Sequence, residues 1–317
     1  MMRTLMSLAS GRGTQAKLST LIFHRVLPEA DPLFPEEMHA ARFRELCAWL
    51  RSWFRVLPLD EAALRLKNGT LPARACTITF DDGYADNHEV ALPILREAGL
   101  PATFFVATGF LDGGRMWNDT VIEAIRRCAL PVINLAGTPA ASLGRLILDG
   151  AEGRRGAIDR AIKAIKYLDH AERLDWVAAL AERSGAVLPD DLMMSSAQVR
   201  GLHAAGMQIG AHTVSHPILA GLPRAQARQE IGDSKAALEG LLGARVGLFA
   251  YPNGRPVEDY SAESTELVRE LGFDAAVSTA WGAARHGGDL FQIPRFTPWD
   301  RQRLRFAVRL QRNLLAS

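Results

Sequence analysis

The run Cys76-Thr77-Ile78-Thr79-Phe80 is apolar or β-branched at every position and stops abruptly at Asp81-Asp82-Gly83. A strand without polar alternation has both faces covered, which is the situation of a parallel strand inside a sheet flanked by helices. The same order recurs along the chain. Thr20-Leu21-Ile22-Phe23 reads as a strand, and Phe43, Leu46, Cys47 and Leu50 follow at helical spacing. A short strand at Val56-Leu57 precedes a helix over 61–67, and a helix through Ile94, Leu95 and Ala98 closes at Gly99. Further strands are expected at Thr103–Val106, 207–210, 246–250, 275–278 and 291–293, with a helix near 265–271. Repeated strand–helix order predicts an α/β fold with a parallel sheet inside and helices outside, and 317 residues suffice for one such barrel.

Two stretches depart from this order. Residues 110–196 are mainly helical in pattern and are expected to form an insertion or lid within a domain spanning 19–298, preceded by a polar tail at 1–18. Residues 299–317 form a C-terminal amphipathic helix with Leu304, Ala307, Leu310 and Leu314 on one face and Arg301, Arg305, Arg309 and Arg312 elsewhere. That pattern reads as a packed terminal helix with a solvated charged face, with peripheral association with a membrane as the alternative.

Charge and cysteine usage narrow the partners. With 37 Lys+Arg against 35 Asp+Glu, the net charge of +2 lacks the electrostatic footprint of a nucleic-acid binder. Cys47, Cys76 and Cys128 are odd in number, far apart and outside any C-x-x-C pair, so no disulfide framework is expected. No apolar run approaches the length of about 18 residues that a membrane-spanning helix needs. Gly11, Arg12 and Gly13 cut the apolar start short of an export signal, so a reduced, cytoplasmic location is expected. Oligomeric state leaves no mark.

The residues able to do chemistry come directly after apolar strands: His24, Asp81 with Asp82, His212, and Tyr251 in Tyr251-Pro252-Asn253-Gly254. In a parallel barrel those strand ends converge on one rim. Adjacent carboxylates in a continuing strand would face opposite ways, but Gly83 lets the chain turn so that both approach one centre. A plain turn with capping carboxylates is the competing reading of Asp-Asp-Gly. His212 and His216, four apart in His-Thr-Val-Ser-His, sit at a strand-to-turn junction, and no Glu follows His212 as a zincin protease would require. Asp82 with the two histidines makes a two-imidazole, one-carboxylate set that leaves coordination positions open, as a catalytic metal needs. Asp81, left unligated, is placed to act as a base.

These residues resemble the motifs of the polysaccharide deacetylases, the NodB homology family. Thr79-Phe80-Asp81-Asp82-Gly83-Tyr84 is similar to the first motif and His212-Thr213-x-x-His216 to the second, in the expected order, and the similarity runs from about residue 19 to 296. The resemblance implies a distorted (β/α) barrel with a helical insertion. It further implies a divalent metal ion, zinc foremost, and hydrolytic removal of an N- or O-acetyl group from a glycan. Asp81 then corresponds to the general base, and Asp82, His212 and His216 to the metal ligands. Tyr251, in Phe249-Ala250-Tyr251-Pro252, corresponds to a tyrosine whose backbone N–H meets the oxyanion. Family members carry an arginine just before that tyrosine; here Gly247, Leu248 and Phe249 precede it, and Arg295 in Ile293-Pro294-Arg295-Phe296 is the candidate substitute. A late Leu-x-His motif has no match, whereas Leu21-Ile22-Phe23-His24 resembles that strand moved to the front, as in the circularly permuted branch, which makes His24 the general acid. The implied partner is an acetylated glycan, with Trp117, Trp281 and Trp299 as stacking faces or as packing. Two other readings stand beside this one: a non-catalytic glycan-binding relative, and an amidase acting on a small non-sugar amide.

Overall fold

The computed structural model describes residues 2–316 and forms two compact units. The first comprises Met1–Glu29, Met38–Asp112 and Met194–Ser317; the second comprises Ala30–Glu37 and Gly113–Met193.

The first unit is an α/β barrel. Its strands in chain order are β1 (Lys17–Phe23), β2 (Arg55–Val56), β3 (Ala75–Phe80) and β4 (Thr103–Val106). In the second unit lie β5 (Val132–Asn134) and β6 (Arg145–Ile147), and the first unit resumes with β7 (Gln208–Ala211), β8 (Leu248–Ala250), β9 (Ala275–Val277) and β10 (Ala284–Arg285). The sheet runs β10-β1-β3-β4-β7-β8-β9, every pair parallel except β10 with β1, and β2 adds to β3. The ring is closed by 293–296, where Ile293 bridges Val277 on β9 and Phe296 bridges Leu21 on β1. A strand was expected at 291–293; instead Leu290–Gln292 is a tight helical turn. Pro294, which has no N–H, stands in the closing segment and interrupts a regular ladder there.

Alternation along β3 decides what faces where. Cys76, Ile78 and Phe80 pack in the main apolar core, where Phe80 stacks on Phe104 at 4.7 Å and on Phe23 at 5.2 Å between ring centres. Each such pair adds roughly 0.5–1.5 kcal/mol beyond area burial, which ties β3 to its two neighbours, β1 and β4. Thr77 and Thr79 occupy the opposite face and satisfy their buried hydroxyls locally: Thr77 bonds the Thr20 hydroxyl at 3.0 Å, and Thr79 donates to the Leu21 carbonyl at 2.7 Å.

Several sequence expectations need correction. The presumed tail contains a helix, Met2–Ser10, whose Met6 and Ala9 are buried, and β1 begins at Lys17. The helix Arg303–Leu315 buries Phe306, Ala307, Leu310 and Leu314, whereas Leu304, assigned to the apolar face, is 69% exposed. Leu304 lies within the first two residues of that helix and falls about 160° from Phe306 and about 120° from Leu310 around its axis, outside the buried stripe.

The second unit has its own core, including Leu33, Val121, Ile125, Leu146, Ile158 and Leu180. Its helices Trp117–Arg127, Gly150–Ile165 and His170–Ser184 accompany an antiparallel pair, β5 with β6, that the helical pattern did not announce. Those strands are three residues each, too short for an alternation signal. Residues 30–37 join this unit through Leu33 and through a two-pronged pairing of Asp31 with Arg126 at 3.0 and 2.7 Å.

Candidate active site

Asp81 keeps the strand's register. Its N–H donates to the Phe23 carbonyl at 2.9 Å, and its position two residues beyond Thr79 leaves the carboxylate on the Thr77–Thr79 face. The chain turns at Asp82 itself, which takes φ 76°, and continues through Gly83 at φ 93°. The turn therefore begins one residue earlier than the glycine alone would suggest. A non-glycine residue in this region stores roughly 1–3 kcal/mol of strain, a cost that persists where surrounding structure enforces it. Here the Ala107 N–H holds the Asp82 carbonyl at 3.2 Å.

The histidine loop is fastened to the same strip of backbone. The His212 N–H donates to Val106 O at 3.1 Å, Thr108 N–H to Thr213 O at 3.1 Å, and Gly109 N–H to Val214 O at 2.8 Å. A Cβ on Gly109 would meet Val214 O at 2.7 Å, so this approach requires glycine. From the other side the Glu230 carboxylate accepts the N–H groups of Val214 and Ser215, both at 2.9 Å, and the Ser215 hydroxyl at 2.6 Å. Thr213 and His216 both adopt positive φ, 66° and 54°, and the Thr213 hydroxyl accepts the His216 N–H at 3.1 Å.

The outcome is a cradle. Candidate ligand atoms of Asp82, His212 and His216 all lie within 4.8 Å of one another. His212 Nε2 stands 3.3 Å and His216 Nε2 3.4 Å from Asp82 Oδ1, a buried oxygen that accepts no hydrogen bond. His212 Nδ1 faces the Ala250 carbonyl at 2.8 Å, which assigns its proton to Nδ1 and leaves a lone pair on Nε2. Burial pushes the His216 pKa down to about 4, so that ring is neutral and available as a ligand near neutral pH. Burial also opposes charge on His212, but the neighbouring Asp82 and Asp81 carboxylates outweigh it and raise its value. Asp82 shows the converse: burial disfavours its anion, yet the surrounding histidines hold the carboxyl far below its usual range. A buried carboxylate that two imidazole nitrogens face, without a donor of its own, fits a divalent cation.

Beside the cradle, Asp81 is gripped by Arg295. Nη1 reaches Oδ1 at 2.7 Å and Nη2 reaches Oδ2 at 2.6 Å, while the arginine is itself fixed to Ser278 O at 2.9 Å and to the Thr79 hydroxyl at 3.2 Å. Burial raises the Asp81 pKa, and the guanidinium, with His212, more than reverses this, so the group stays ionised.

The remaining sequence candidates divide. His24 is exposed just past β1, close enough that its charge acts on Asp81, Asp82 and His216. Two residues that no motif singled out fix its loop: Asn87 donates to the His24 carbonyl at 2.8 Å, and Asp86 accepts the Val26 N–H at 2.9 Å and pairs with Arg25 at 2.8 Å. Asn87 opens a π-helical turn, Asn87–Ala91, a local irregularity common at functional sites. Tyr251 is buried, stacks on Tyr260 at 3.8 Å and donates its hydroxyl to Phe291 O at 3.0 Å. Its backbone N–H, assigned above to an oxyanion, points at Val277 O at 3.3 Å across β8 and β9. Trp281 and Trp299 are more than half exposed, but Arg309 lies over both rings, at 5.8 and 4.6 Å. Trp117 belongs to the second unit, where Arg173 covers it at 5.4 Å.

Comparison with known proteins bears on the family and the fold. The polysaccharide deacetylase family pattern matches residues 68–130 and 169–276, which include Asp81, Asp82, His212, His216 and Tyr251. YxkH of Bacillus subtilis (strain 168), named for the same family, is 22% identical over 282 residues, 88% of this chain and 71% of its own length. A poly-β-1,6-N-acetyl-D-glucosamine N-deacetylase of Staphylococcus aureus is 33% identical over 84 residues, 26% of this chain and 29% of that protein. Among solved structures, IcaB from Ammonifex degensii superimposes with a TM-score of 0.61 at 20% identity, covering 96% of this chain and 98% of that one. The Streptococcus pyogenes deacetylase PplD gives 0.60 at 19% identity, covering 89% and 92%. At such identities the likeness is one of fold, a curled, mainly parallel sheet surrounded by helices. With the family pattern spanning more than half of its length, the chain belongs to the polysaccharide deacetylases.

Proposed function

We propose that this chain is a metal-dependent hydrolase that removes acetyl groups, N-acetyl foremost, from a glycan. The observation that carries the reading is the cradle of Asp82, His212 and His216 beside an ionised Asp81 that is fixed from behind by Arg295. The staphylococcal relative's name, which specifies N-deacetylation of a β-1,6-linked N-acetylglucosamine polymer, supports the choice of an amide.

Asp82 Oδ1 and the Nε2 atoms of both histidines would hold the ion, with zinc the expected one for a two-nitrogen, one-oxygen set. When bound, it would supply Lewis acidity to the acyl carbonyl and to the attacking water. The chain's residues do the rest. Arg295 occupies one lone pair on each Asp81 oxygen and leaves the others free, so the carboxylate accepts the proton of the attacking water in a fixed orientation. His24, exposed beside the cradle and held through its own carbonyl, donates a proton to the departing sugar nitrogen. Water adds to the acetyl carbon, the C–N bond breaks, and acetate and a free amine leave. Tyr251 is assigned a packing role, since both its hydroxyl and its N–H have protein acceptors.

The test is acetate release from β-1,4- and β-1,6-linked N-acetylglucosamine oligomers by the purified, zinc-loaded chain. Release abolished by Asp81→Asn supports the proposal. Binding without release would make the chain a glycan-binding relative, and turnover of small cyclic amides alone would make it an amidase.

A further inference from the structure

Among the described residues, six of the fourteen exposed large hydrophobic side chains fall in two short stretches: Leu5 and Leu8, then Trp299, Leu304, Val308 and Leu315. The helices that carry all of them but Trp299, Met2–Ser10 and Arg303–Leu315, pack against each other on the first unit. The second of these already covers core with Phe306, Leu310 and Leu314. Leu304, Val308 and Leu315 follow one another at spacings of four and seven, which places them on a separate stripe of the same helix. Val308 is 42%, Leu315 61% and Leu304 69% exposed, so the barrel makes little use of that stripe.

Charge says what would cover it. Residues 1–28 and 301–317 contain no Asp or Glu at all, although the chain as a whole is almost neutral. Arg3, Arg12, Arg305 and Arg312 are exposed there, and among the described residues Arg305 and Arg312 meet no carboxylate. Around the helix axis Arg305 and Arg312 stand next to the Leu304–Val308–Leu315 stripe. A second copy of this chain would bring two basic faces together, which like charge opposes. An apolar stripe bordered by arginines matches instead the boundary between acyl chains and anionic head groups. Neither helix can go further than that, because no helix among the described residues is long and apolar enough to cross a membrane.

We propose that the paired helices Met2–Ser10 and Arg303–Leu315 are a docking surface for an anionic lipid bilayer. The leucines enter the acyl boundary and the arginines meet lipid phosphates. This inference is independent of the reaction assigned to the barrel.

The experiment is co-sedimentation of the full chain with vesicles of mixed phosphatidylglycerol and phosphatidylcholine, and with phosphatidylcholine alone. Two variants accompany it: Leu304→Ser with Val308→Ser and Leu315→Ser, and Arg305→Ser with Arg312→Ser, each with its melting temperature recorded. The chain is expected to pellet with the anionic vesicles, to be released by about 0.5 M salt, where screening acts within about 4 Å, and to ignore phosphatidylcholine. Each variant is expected to melt like the parent and to lose roughly tenfold in partitioning. The lipid and salt comparisons use the parent chain, so they decide the matter even if a variant fails to fold. Failure of the parent to pellet with anionic vesicles would overturn the proposal. So would equal binding by folded variants, or light scattering that shows a parent dimer dissolved by the leucine substitutions.

Discussion

Both carboxylate oxygens of Asp81 face the guanidinium of Arg295, 214 positions later in the chain, at 2.7 and 2.6 Å. The pair is almost completely shielded from water, with side-chain exposures of 3% and 0%. An arginine fork matches a carboxylate in a way that a point charge does not, so the pairing sets the direction of the aspartate as well as its ionisation.

Removing Arg295 leaves that carboxylate buried and uncompensated. Arg295→Ala is expected to destabilise the chain by about 3–5 kcal/mol in denaturant unfolding. Arg295→Lys should recover part of the stability by returning the charge, without restoring the two-pronged geometry. An alanine variant that unfolds at the parent's midpoint would contradict this role.

Asp81→Asn keeps the side chain's shape and discards its basicity. It is expected to lower kcat by about 10²- to 10⁴-fold while metal content stays at the parent level, since Asp81 is not among the proposed ligands. Loss of the ion together with activity would show that Asp81 is a ligand and the base assignment mistaken.

Glu230 acts through the loop it clamps. Its carboxylate holds the two N–H groups between His212 and His216 in sequence, so Glu230→Ala should loosen the spacing of the imidazoles. Metal affinity, measured by competition with a chromophoric chelator, is expected to weaken by about 10- to 100-fold. Activity at saturating metal should fall much less, and an unchanged metal Kd would confine Glu230 to a purely structural role.

Much of this was readable from the chain itself, because strand ends announce themselves. The apolar run 76–80 stops at Asp81, and in a parallel barrel that stop is an address on the rim. Arg295 was legible only through the absence of an arginine before Tyr251, combined with an arginine just past the strand expected at 291–293. Glu230 was not legible, since it sits 15 or more positions beyond the loop it holds, on a helix whose pattern reports only helix. Asp82's left-handed backbone was hidden for a different reason: propensity assigns that conformation to Gly83, and tertiary bonds from Ala107 move the turn forward. The second stripe on Arg303–Leu315 escaped because the pattern of leucines is compatible with one face or two until the core chooses. Likewise, nothing local ties 30–37 to the second unit; Asp31 finds Arg126 only in three dimensions.

A metal count on purified protein bears hardest on the whole construction. After incubation with zinc and removal of the excess, the parent chain is expected to retain one ion, whereas Asp82→Ala, His212→Ala and His216→Ala each retain almost none. If all three variants kept the parent's zinc, the three side chains that meet around Asp82 Oδ1 would not be its ligands, and the hydrolytic site would have to be sought elsewhere.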